Sequence, residues 1–150
     1  FGCEIAAYDL FPKKNAPEYL HYGTLEEVLS KSDIVTLHCP LTEDSRNLIN
    51  QDRIAQMKKG AILINAARGP IVDSKALADA LNSGYLRGAG VDVFEMEPPL
   101  PMDHPLLHSI NTIVTPHIAF ASDESMEIRA KIVFENIQKW MNKEQVNTIL

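Results

Sequence analysis

The chain predicts an α/β fold built as a doubly wound parallel sheet. Segments with strand character alternate with segments of helix character along its whole length, the pattern of a parallel sheet covered by helices. The strand candidates are apolar and β-branched without polar alternation, as in residues 33–39 (DIVTLHC). The helix candidates open on capping residues, and two of them close on glycine.

Residues 4–9 read as a short strand ending in Asp9, and Pro12 and Pro17 make residues 11–22 a loop. Thr24 and Glu27 fit a capping box opening a helix over residues 25–31, because each side chain can take a backbone N–H that the first turn leaves unpaired. The strand at 33–39 reads as buried on both faces, and Pro40 stops it. Asn50 caps a helix over 51–59 with Ile54 and Met57 on one face, Gly60 ends it, and residues 61–67 form the next strand. Asp73 then caps a helix over 74–83, Gly84 stops it, and a strand follows over 88–94. Residues 95–109 hold Pro98, Pro99, Pro101 and Pro105 and read as a long functional loop before a strand over 112–115. Ser122 caps a final helix reaching about residue 143. Its stripe of Met126, Ala130, Val133, Ile137, Trp140 and Met141 is that of a helix packed on a core or a domain interface.

Composition excludes several function classes. At 150 residues the chain is one domain's worth of polypeptide, able to bury roughly two-thirds of its unfolded surface. A net charge of −6 with no basic stripe argues against a nucleic-acid partner. No apolar run approaches the roughly 18 residues that span a bilayer. Cys3 and Cys39 are too few for a disulfide framework or a cysteine zinc site, which points to a reducing cytoplasm. His104 and His108 are four apart, but Pro105 lies between them and no further ligand type is near, so no metal is expected. His21 and His38 read as surface or strand-end residues.

Ligands of open parallel sheets bind beyond the carboxyl ends of the strands. Asp9, Cys39 with Pro40, Arg68, Asp92 and His117 all stand at such ends, and together they suggest a site on one sheet edge. The glycine fingerprint G-x-G-x-x-G of dinucleotide sites is not matched: Gly88-Ala89-Gly90 begins it, but Val93 stands in the third glycine's place and the segment enters a strand. An acid such as Asp9 follows that fingerprint by about 20 residues. The glycine-rich loop is therefore expected upstream of Phe1, in a chain read as a fragment.

Three stretches, Ala66-Ala67-Arg68-Gly69-Pro70-Ile71-Val72-Asp73, Gly90-Val91-Asp92-Val93-Phe94-Glu95-Met96-Glu97-Pro98 and Thr115-Pro116-His117-Ile118-Ala119, resemble the signatures of the D-isomer-specific 2-hydroxyacid dehydrogenases. Lys58-Lys59-Gly60-Ala61 and Leu37-His38-Cys39-Pro40-Leu41-Thr42 fit the same family, in the same order. The resemblance implies that residues 1–150 are most of a Rossmann-like NAD-binding domain, with the helix at about 122–143 leading back toward a substrate domain outside the chain. It implies interconversion of a 2-keto acid and a D-2-hydroxy acid by hydride transfer. Its catalytic residues would be Arg68, clamping carboxylate and keto oxygen, His117 as general acid/base, and Glu97, bonding the imidazole and raising its pKa. NAD would meet Asp9, Cys39, Pro40, Ser45, Ala66, Ala67, Arg68, Asp92 and His117, with Asp9 favouring NAD over NADP. The resemblance also implies a homodimer.

Glu97-Pro98-Pro99 resembles the glycerate and hydroxypyruvate branch more than the fermentative D-lactate branch, and Phe120 stands where many relatives carry small residues, either narrowing the pocket or merely packing. Two other classes stay in view. One is a regulatory module that kept NAD sensing while chemistry became secondary, against which the three catalytic residue types argue. The other is an isolated fragment without turnover, which is the expectation for these 150 residues alone.

Overall fold

The computed structural model describes residues 2–96, 99–144, 146 and 147. It divides into two compact units, Phe1–Pro116 and His117–Leu150.

The first unit contains two parallel sheets. Strand β1 (Ile5–Ala7) pairs with β2 (Leu20–Tyr22), and the four-stranded sheet runs in the order β3 (Ile34–Leu37), β4 (Ile62–Asn65), β5 (Gly88–Val91), β6 (Thr112–Val114). Its helices are α1 (Leu25–Lys31), α2 (Gln51–Gln56) and α3 (Ser74–Asn82), with short 3₁₀ turns at Gly69–Ile71 and Pro105–Leu107.

The caps anticipated from the sequence are all formed. Thr24 Oγ1 accepts from Glu27 N–H at 3.2 Å while Glu27 Oε2 accepts from Thr24 N–H at 3.0 Å. Asn50 and Asp73 accept from the N–H groups of Arg53 and Ala76 at 3.1 and 2.9 Å. Such a cap contributes about 1 kcal/mol each to its helix.

Three expectations are corrected. Residues 20–22 are a strand rather than loop: Leu20 N–H closes a turn on the Pro17 carbonyl at 2.9 Å, and beyond the last proline the backbone donors are free to pair with β1. Helix α2 ends at Gln56 and not at residue 59, because Met57 is already extended (φ −67°, ψ 155°). Gly60 does adopt a positive φ of 85°, but in the turn into β4, where its N–H reaches the Tyr85 carbonyl at 2.8 Å. Strand β3 is buried on one face only, since Val35 and Leu37 are covered while Ile34 is 58% exposed.

That one-sided burial holds across the sheet. In-register rows place Val35, Leu63 and Ala89 on one face, together with Leu37, Asn65 and Val91. These residues, Asn65 apart, share one apolar cluster with Leu29 of α1, Ile54 of α2 and Leu77, Ala78, Ala80 and Leu81 of α3. Each fully buried leucine or isoleucine contributes about 1.5–3 kcal/mol of hydrophobic stabilisation, so this layer is the core of the unit. Ile64 and Ile113, on the alternate row with Gly90, stay exposed.

The second unit is dominated by α4 (Asp123–Met141), capped by Ser122, whose Oγ accepts from Ser125 N–H at 3.2 Å. Its apolar stripe is exposed throughout, from Met126 to Trp140. No helix among the described residues is long and apolar enough to cross a membrane.

Candidate active site

The C-terminal ends of the four-stranded sheet are level, because Leu37, Asn65, Val91 and Val114 form one in-register row. The residues that follow these strands therefore emerge at a common edge: Cys39 and Pro40 after β3, Ala66 to Arg68 after β4, Asp92 after β5. The predicted site is only partly assembled there. Asp9 follows β1, which belongs to the other sheet. His117 opens the second unit. Glu97 lies outside the described residues.

Each segment has its own physical cause. Ser45 is buried, its hydroxyl donating to the Pro40 carbonyl and accepting from Thr42 N–H, both at 2.7 Å, so it shapes the turn that Cys39 and Pro40 enter. Burial pushes the half-buried Cys39 thiol above its ordinary pKa against an opposing backbone hydrogen bond, which keeps it neutral. Arg68 is exposed, extended (φ −147°, ψ 139°), and donates from Nη1 to the Ala67 carbonyl at 2.7 Å. Asp92 is buried, receives the Thr115 hydroxyl at 2.5 Å, and its backbone N–H donates to the Asn65 carbonyl at 2.9 Å.

Asp9 is exposed and accepts from Phe11 N–H at 2.8 Å. With Tyr8, Pro12, Tyr22 and Thr24 it borders an open cleft of about 470 Å³. A carboxylate with lone pairs to spare at the end of a parallel strand suits a pair of sugar hydroxyls. At the end of β4, Ala66 is exposed and Ala67 half-buried, and their small side chains suit the approach of a flat polar ring. The residues present thus fit a dinucleotide.

In the second unit His117 takes a left-handed backbone (φ 57°). Four other described non-glycine residues do so, namely three asparagines and Lys143. For a residue with a Cβ this costs of order 1–3 kcal/mol, a strain that tends to collect at functional positions. The His117 ring meets Phe120 edge-on at 6.0 Å, and the Arg129 guanidinium lies 5.2 Å from the Phe120 centroid.

Sequence reasoning missed a buried polar cluster beside the site. His104, expected to be an ordinary residue, is 5% exposed. Its Nδ1 accepts from Leu106 N–H at 3.3 Å, which leaves Nε2 as the protonated nitrogen facing Glu95 Oε1 at 3.1 Å. Ser74, at the start of α3, donates to the other Glu95 oxygen at 2.9 Å. Burial opposes the Glu95 charge, but the hydrogen bonds from its own backbone, Ser74 and His104 outweigh it and hold the carboxyl below its usual range. A depressed folded pKa stabilises above the unfolded value, near 4.3, and is lost as pH falls through the folded one. Glu95→Gln should therefore cost under about 1 kcal/mol near neutrality, given the half-exposed carboxylate. That difference from wild type should shrink on acidification in thermal melts, and a gap that widens in acid would refute the assignment. His108 faces the Met102 carbonyl at 2.6 Å, and no group of three or more metal-ligating side chains occurs among the described residues.

Comparison with known proteins identifies the family to which this fold belongs. Residues 1–119 match the family model described as D-isomer specific 2-hydroxyacid dehydrogenase, NAD binding domain. The glyoxylate reductase of Korarchaeum cryptofilum is 44% identical over 139 residues, covering 91% of this chain and 42% of that protein. The hydroxypyruvate reductase of Blautia hydrogenotrophica is 39% identical over 149 residues, covering 99% of this chain and 46% of its own. Among solved structures, D-lactate dehydrogenase with NAD+ from Lactobacillus jensenii superposes with a TM-score of 0.89 at 32% identity, over 99% of this chain and 48% of that one. The chain thus spans less than half the length of these relatives. It belongs to the D-isomer-specific 2-hydroxyacid dehydrogenase family and carries the NAD-binding domain of that family.

Proposed function

We propose that the intact protein interconverts a 2-keto acid and the corresponding D-2-hydroxy acid with NAD(H). The observation that carries this reading is the placement of Arg68 and Asp92 at one level sheet edge, within a chain whose first 119 residues match the family's NAD-binding domain. NAD(H), when bound, supplies or accepts the hydride. Asp9 would hold the ribose hydroxyls, and the Cys39–Pro40 turn, shaped by Ser45, would line the adenosine side. Asp92 and the backbone of Ala66 and Ala67 would hold the nicotinamide end.

The remaining chemistry falls to three side chains. Arg68 presents a planar fork of donors to the substrate carboxylate and keto oxygen, a geometry that lysine lacks. His117 gives a proton to the developing alkoxide and removes one in the reverse direction. Glu97, assigned from the family resemblance alone, would accept from the imidazole and fix its tautomer. The free thiols Cys3 and Cys39 support a cytoplasmic location, and the exposed Ile128, Ile132 and Phe134 of α4 support a homodimer. For the isolated 150 residues we expect NADH oxidation at background rates with every 2-keto acid.

The test is NADH oxidation by the intact enzyme against hydroxypyruvate, glyoxylate, pyruvate and branched 2-keto acids. We expect turnover, highest with hydroxypyruvate or glyoxylate, since Glu97-Pro98-Pro99 resembles that branch. NADH binding without turnover of any of them would replace the enzyme reading by a sensing module.

A further inference from the structure

Asn65 is the one polar side chain in the buried row Leu37, Asn65, Val91, and it is 1% exposed. An apolar residue would serve the core better there, because a buried carboxamide costs free energy unless its hydrogen bonds are made. Its bonds all go to one place. Oδ1 accepts from Ala67 N–H at 3.1 Å, and Nδ2 donates to the Arg68 carbonyl at 3.0 Å. The same residue's main-chain carbonyl accepts from Asp92 N–H at 2.9 Å.

One buried residue therefore ties the strand end to the backbone on both sides of the Ala67–Arg68 peptide, and ties that strand to the one bearing Asp92. On its C-terminal side the Arg68 main chain is held by Ile71 N–H, which donates to its carbonyl at 3.3 Å, and by the packing of Gly69; its side chain is exposed and bonds only its neighbour's carbonyl among the hydrogen bonds described for it. A long, exposed arginine can clamp a small carboxylate in one geometry only if its backbone starts from a defined place.

We propose that Asn65 is a positioning residue for the substrate-binding arginine, acting through the two hydrogen bonds that fix the Ala67–Arg68 backbone. The proposal rests on the reading of Arg68 as the carboxylate clamp. It separates from a purely structural role because the two predict different losses. A structural role lowers stability and leaves the affinity of the folded enzyme for substrate unchanged. A positioning role raises KM for the 2-keto acid, and by more than it raises Kd for NADH.

The experiment uses the intact enzyme with Asn65→Ala, Asn65→Ser and Arg68→Ala. A misplacement of about 1 Å at a reacting group can cost up to 10²-fold, so Asn65→Ala should raise KM for the preferred 2-keto acid by about 10- to 100-fold. The Kd for NADH, read by fluorescence, should rise severalfold less than KM does, since the Asn65 side chain braces the Ala67 backbone at the nicotinamide end but makes no bond to Asp9 or to the Asp92 carboxylate. Asn65→Ser, whose hydroxyl can still accept from Ala67 N–H, should fall between wild type and Asn65→Ala. Hydrogen exchange at Ala67 N–H should quicken in Asn65→Ala in the absence of any ligand. An unchanged KM in folded Asn65→Ala or Asn65→Ser, with only Tm lowered, overturns the proposal. If Arg68→Ala also leaves KM unchanged, the clamp reading fails as well; if Arg68→Ala raises KM and the Asn65 variants do not, only the role of Asn65 fails.

Discussion

Replacing His117 by alanine in the intact enzyme is expected to lower kcat for 2-keto acid reduction by about 10²- to 10⁴-fold, the usual contribution of a positioned acid or base. An imidazole exchanges a proton near neutral pH, and alanine leaves bulk water as the donor to an alkoxide forming in a closed site. The loss should fall on kcat and kcat/KM alike, because the proton is needed in the transition state and contributes little to ground-state binding. NADH affinity should change little. A variant retaining more than about a tenth of the wild-type rate would remove His117 from the mechanism.

The second large effect is on stability. Gly69 follows Arg68 and is buried, and a Cβ built on it would lie 1.8 Å from the carbonyl carbon and oxygen of Phe94 and 2.5 Å from Glu95 N. These are backbone atoms, so no side-chain rotation relieves the contact. Overpacking in a core typically costs 1–3 kcal/mol, and a clash of main chain on main chain should exceed that, so Gly69→Ala is expected to cost more than about 3 kcal/mol. For a chain of this size that lowers Tm by roughly 6–12 °C or more. Gly84→Ala is the control. Gly84 has a φ of 70° with nothing within 4 Å of its missing Cβ, so it should show only the conformational cost of about 1–2 kcal/mol. Equal Tm values for the two variants would mean that the Arg68–Gly69 turn and the Phe94 backbone are not held together. Because that packing joins the turn after β4 to the segment after β5, Gly69→Ala should also disturb the placement of Arg68.

How much of this was legible beforehand differs by residue. Thr24, Asn50, Asp73 and Ser122 were readable as caps because capping is a contract between a side chain and backbone groups two or three residues away, written entirely in local sequence. The strand at Leu20–Tyr22 was not, because three residues carry too little periodicity and only pairing with Ile5–Ala7 makes them a strand. The two-sided burial expected of residues 33–39 failed for a similar reason. Apolarity shows what a segment tolerates, and only the assembled layers show what covers it.

The site divides the same way. Arg68, Asp92 and His117 could be named from motif and strand-end position, and the in-register ends of β4 and β5 account for the first two. Asn65 was hidden, although a lone asparagine after Ile62-Leu63-Ile64 was a signal in plain view. The bond of Glu95 to His104 joins residues nine apart across a proline-rich stretch, a spacing that no periodic pattern encodes. From sequence alone came the family, the alternating order of strands and helices, the caps and the identity of the chemical groups, because each is set by residue type and short-range spacing. The tertiary structure alone decided which sheet carries Asp9, which buried polar groups brace the Arg68 turn, and where backbone approaches backbone too closely for any residue but glycine. Those depend on contacts between segments far apart in the chain, and local free energies do not determine them.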